Sequence, residues 1–145
     1  LKHTDTLDFF AVDEDTFSSI PMFSDSVQAG FPSPAEDHMD MDLNLNDHLV
    51  QNPSATFCVK AIGESMKDAG IQSGDIMIVD KSLEPQNRSI VLAVIDGDFT
   101  VKRVNVNDKE LYLMPENSNF SPIKITEEMD FKVWGVVTYI IHKAV

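Results

Sequence analysis

The chain has 145 residues, 43% of them apolar, and a formal net charge of −13. That is enough for one compact domain with irregular sequence beside it, and the acidity disfavours nucleic-acid binding by this chain alone, because phosphates demand basic surface. The single cysteine, Cys58, excludes an intrachain disulfide and suits a reducing cytoplasm; no apolar run approaches the ~18 residues of a membrane span, and "LKHTDTLDFF" is no secretory signal.

The acids crowd the front of the chain. Residues 1–50 hold eleven against Lys2 alone, whereas residues 51–145 hold thirteen against ten bases. With prolines at 21, 32 and 34, residues 1–38 read as a flexible acidic arm and residues 39–145 as the folded domain. Met39, Met41, Leu43 and Leu45 alternate with polar residues, which predicts a half-buried strand with Asp40 and Asp42 on its solvent face rather than in a metal site. Asn46 is placed to cap a short helix over 47–52, ahead of Pro53.

From Ala55 onward strand signals dominate. "TFCVKAI" reads as a strand running into Gly63, and "DIMIVD" as a short apolar strand. "SIVLAVIDGDFTVKRV" (89–104) reads as a hairpin around Asp96-Gly97. "ELYLM" and "FKVWGVVTYII" follow, the last as one long strand or two broken at Gly135. The expected class is mainly β.

"IGESMKDAG" (62–70) sets Ser65 between two glycines, with strand-like sequence on either side. A turn serine is ordinarily a cap; a nucleophilic one needs a base and oxyanion donors. The histidines at 3, 38, 48 and 142 stand in no motif that points to catalysis, and residues 63–67 are not GxSxG. A lysine whose neutral amine acts as base is the other route. Lys67 is near in sequence but two residues on, which points it to another side of a turn. Lys102 lies on the second hairpin strand, where alternation sets it with Thr100 and Val104. Cys58 reads as a core residue.

"GESM", "SGDIMIVD" and "DGDFTVKRV", in that order, resemble the LexA/UmuD family of self-cleaving serine–lysine peptidases, and other stretches, such as "PMFSDSVQAGFPSPAED", resemble its UmuD-like members. The resemblance spans roughly residues 20–143. It implies a compact peptidase domain of twisted antiparallel sheets with an extended N-terminal arm. It implies Ser65 as nucleophile, Lys102 as general base, and the backbone N–H groups of Ser65 and Glu64 as oxyanion donors. It implies a substrate within the chain, the Ala29–Gly30 bond of "SVQAGFPSP", and neither metal nor cofactor. It further implies a homodimer joined through the C-terminal strands, and cleavage promoted by a RecA filament on single-stranded DNA.

Two roles in the DNA-damage response are then open: a repressor inactivated by cleavage, and an accessory subunit of an error-prone DNA polymerase activated by it. The chain opens without Met and sets twenty residues before Pro21. That favours the repressor and an expected upstream domain through which alone DNA would be bound. A non-enzymatic interaction module is the reading of another class; membrane-anchored signal-peptidase-like processing is disfavoured by the lack of an apolar anchor.

Overall fold

The structure is a computed structural model that describes residues 6–12, 19–23, 39–63 and 65–145. Two compact units form, residues 1–12 with 52–145, and residues 13–51. In the smaller, strands β2 (Ser19–Phe23) and β3 (Met39–Asn44) pair antiparallel, with Met22 opposite Met41. Helix α1 (Leu45–Leu49) follows at once, so Leu45, expected to continue the strand alternation, is helical instead. The expected cap is also corrected. It is Asn44, not Asn46: Asn44 ends the strand with extended backbone, and its side chain accepts from the Asp47 N–H at 3.3 Å.

The larger unit is a single antiparallel sheet. Its strands are β1 (Thr6–Ala11), β4 (Thr56–Ile62), β5 (Ile76–Asp80), β6 (Ile90–Ile95), β7 (Asp98–Asn107), β8 (Glu110–Met114), β9 (Ile123–Lys124) and β10 (Phe131–Ile141). Their spatial order is β1-β4-β5-β10-β6-β7-β8-β9. The mainly β class expected from sequence is what forms. The β6–β7 hairpin turns at Asp96 and Gly97, both with positive φ, as the twist of a two-residue hairpin requires. The C-terminal run is one strand, β10, with register shifts at Val133/Gly135 against β6 and at Val137/Tyr139 against β5. Two strands, β1 and β2, fall within residues 1–38.

β6 is covered on both faces, which its unbroken run "IVLAVI" anticipates. Leu92 packs into one cluster with Val59, Ala61, Met77, Val79 and Val101. Val91, Ala93 and Ile95 pack into a second with Val104, Leu113 and Ile123. The first cluster joins β4 to β7, four places apart in the sheet. A flat sheet would hold those strands about 19 Å apart at ~4.8 Å per step. Twist and curl close that distance, and the site depends on this.

Candidate active site

β4 delivers the chain to Gly63, whose N–H donates to Ser73 Oγ at 3.3 Å. Met66 then sinks into the first core cluster, 3% exposed, and pins the segment after Ser65. Its carbonyl accepts from the N–H groups of Ala69 (3.0 Å) and Ile71 (3.2 Å). Lys67–Ala69 form a 3₁₀ turn that stops at Gly70, whose φ of 84° lies in the left-handed region and would strain any side-chain-bearing residue. The serine therefore sits between a strand end and an anchored turn.

Lys102 comes from β7, where it stands opposite Val91 while Thr100 stands opposite Ala93. Both faces of β7 are buried from Thr100 to Lys102, so the lysine is held away from water. Its Nζ lies 3.1 Å from Ser65 Oγ, 2.5 Å from Thr100 Oγ1 and 3.1 Å from the Val101 carbonyl oxygen. Ser65 and Lys102 are only 3% and 4% exposed. Buried polar groups require partners, and here hydroxyl and amine serve each other. Strand alternation puts the wholly buried Thr100 on the lysine's face; its bond to Nζ is what that pattern alone does not reveal.

A small cavity of ≈ 10 Å³ adjoins Ser65, with Leu7, Ala61, Ile71, Met77 and Val101 among its walls. The space is about that of one water molecule, and its wall is mostly apolar, so it leaves Ser65 little competing polarity.

The other sequence candidates fall elsewhere. Lys67 is exposed on the 3₁₀ turn. His142 Nδ1 pairs with Asp75 Oδ1 at 2.7 Å, and Asp75 Oδ2 accepts from the Gln72 N–H at 2.7 Å, so that carboxylate ties the loop before β5 to the end of the chain. His48 is on α1 in the smaller unit. Cys58 is half-buried in β4, and burial pushes its thiol up, away from the reactive thiolate. Ala29, Gly30 and Glu64, together with His3 and His38, lie outside the described residues. No helix among the described residues is long and apolar enough to cross a membrane.

The Peptidase S24-like family matches residues 21–138. Protein SamA of Salmonella typhimurium is 45% identical over 126 residues, 87% of this chain and 87% of its own length. Protein ImpA of Escherichia coli is 42% identical over 123 residues, 85% of this chain and 83% of its own. The LexA repressor of Colwellia psychrerythraea is 37% identical over 117 residues, 80% of this chain but 55% of its own. Fold and matches together define a β-rich serine peptidase domain. The chain belongs to the Peptidase S24-like family, and within the LexA/UmuD group it stands with the UmuD-like members.

Proposed function

We propose that this chain is an SOS-mutagenesis protein that cuts itself between Ala29 and Gly30, with Ser65 as nucleophile and Lys102 as general base. The observation that carries the reading is the 3.1 Å approach of Lys102 Nζ to Ser65 Oγ in a buried setting. In its neutral form the amine directs two N–H groups to the Thr100 hydroxyl and the Val101 carbonyl. Its lone pair then faces the Ser65 hydroxyl. Lys102 takes the Ser65 proton as Oγ attacks the carbonyl carbon of Ala29. The backbone N–H groups of Ser65 and Glu64 stabilise the oxyanion. The C–N bond breaks, the Lys102 ammonium protonates the departing Gly30 amine, and water releases the acyl group as the Ala29 carboxylate.

Residues 1–38 act as the arm that carries the bond, and residues 39–145 as the peptidase and dimerisation part. Holding bond and nucleophile in one chain raises their effective concentration. Cleavage severs residues 1–29, with six acids and Lys2, from residues 30–145.

Downstream, the chain acts as a homodimeric accessory subunit of an error-prone polymerase, and its cleavage is promoted by a RecA filament. The higher identity to SamA and ImpA than to the LexA repressor supports this role. A cleavage-inactivated repressor is the second reading, supported by the LexA repressor match.

Incubation of the purified chain at rising pH, followed by intact mass, tests the chemistry. Two fragments split between Ala29 and Gly30 are expected, forming faster as the neutral fraction of Lys102 grows and levelling once it is fully deprotonated. Ser65→Ala and Lys102→Ala should each abolish them. Cutting by Lys102→Ala at the same bond and rate would overturn the assignment of the base.

A further inference from the structure

Ser65 and Lys102 come from elements that are not strand neighbours, so their 3.1 Å separation has to be held by something besides the sheet ladder. Glu116 lies two residues beyond β8 and touches both sides. Its backbone carbonyl accepts from the Asp68 N–H at 2.7 Å, inside the 3₁₀ turn that follows the serine. Its side-chain Oε1 accepts from Arg103 Nε at 2.6 Å, and Arg103 directly follows the lysine in β7. Arg103 is itself fixed: a terminal N–H donates to the Arg88 carbonyl at 2.7 Å, and its backbone is paired to Ile90 of β6 and Met114 of β8.

We propose that Glu116 is a positioning residue for the Ser65–Lys102 pair, binding the nucleophile's turn through its backbone and the base's strand through its carboxylate. The proposal rests on the Ser65–Lys102 reading. Glu116 touches neither reacting group. It acts by fixing where the turn stands against β7. The lost quantity is alignment, and misplacement by about 1 Å can cost on the order of 100-fold in rate. The contact is half-exposed, with side chains 24% and 34% accessible, so its removal should disturb folding little.

The test uses the full chain and follows self-cleavage by intact mass across alkaline pH, thermal unfolding, and labelling of Ser65 by a fluorophosphonate. Glu116→Ala and Arg103→Ala should each lower the alkaline plateau of cleavage by about tenfold or more, in line with lost alignment. The pH midpoint should stay in place, since the base itself is unaltered. Labelling should slow in step, while thermal midpoints move by no more than a few degrees. The double variant should be no slower than either single, because both remove one link. Glu116→Gln keeps an acceptor for Arg103 Nε and should recover most of the rate. The proposal is overturned if both alanine variants cleave and label like the wild type, if their losses simply add, or if the rate falls only with the folded fraction. Should the wild type cleave in a Ser65- and Lys102-dependent way while the Glu116 variants match it, the positioning role alone fails. A wild type that neither cleaves nor labels overturns the dyad and the brace together.

Discussion

Asp80 closes β5 with its carboxylate buried, 4% exposed, and fully occupied. Burial pushes its pKa up. Hydrogen bonds from the Asn52 amide, the Ser82 hydroxyl, and the backbone N–H groups of Ser82 and Leu83 outweigh this and hold it below the ordinary value of 3.8. The charged form is thus favoured by folding. It contributes stability that is present above the unfolded-state pKa and lost as pH falls through the folded one. Asp80→Asn should cost about 1–3 kcal/mol at pH 7. Denaturant unfolding of both proteins from neutral pH down to about pH 2 should show the gap narrowing as Asp80 protonates. A gap that stays constant would mean that charge plays no part.

At this scale residue pattern alone left Ser65 a turn serine and Lys102 a strand lysine; the family resemblance singled them out, and the fold brings them to 3.1 Å. The sequence was silent on Glu116, whose ties run through a backbone carbonyl and a partner thirteen residues away. Neither leaves a pattern. Asn44 and Asn46 illustrate a near tie: both suit a cap, and the choice fell to where β3 ends.

Among the elements, β10 is the most constrained. It lies between β5 and β6, and a bulge falls at Gly135. A Cβ there would stand 2.6 Å from Val79 Cγ1 and 3.0 Å from the Asp80 carbonyl oxygen. That close approach explains a glycine that sequence reads as a possible break. Gly135→Ala should destabilise by about 1–3 kcal/mol through overpacking, read as a lowered denaturation midpoint. An unchanged midpoint would show that β10 can shift outward freely.

Strands with long apolar runs or a hairpin turn were legible, and β4 through β8 fall where expected. β9 is two residues long and exists only by pairing with β8, so nothing local announces it. β1 was hidden differently. Leu7, Phe9 and Ala11 alternate, but the acidity and prolines of the region outweigh so short a signal. Its partner β4 and the aromatic cluster supply what is missing: Phe9 stacks on Phe57 at 5.9 Å and meets Phe99 at 5.0 Å.

For the molecule as a whole, self-cleavage as proposed would leave β1 standing between bond scission and departure. The strand is laddered to β4 from Thr6–Ile62 through Ala11–Phe57, and Leu7 lines the space beside Ser65. Both contacts lie upstream of Ala29. Breaking the peptide bond as proposed would therefore yield a nicked, two-piece particle in which the fragment 1–29 remains clasped along a sheet edge. Native mass spectrometry of the cleaved protein should find both pieces travelling together, separating only in denaturant or when a competing strand displaces β1. Immediate loss of the fragment would mean the β1 ladder is too weak to outlast the cut. On this view self-cleavage is a timer with two stages, a chemical one set at Ser65 and a slower mechanical one set by how fast an edge strand peels away.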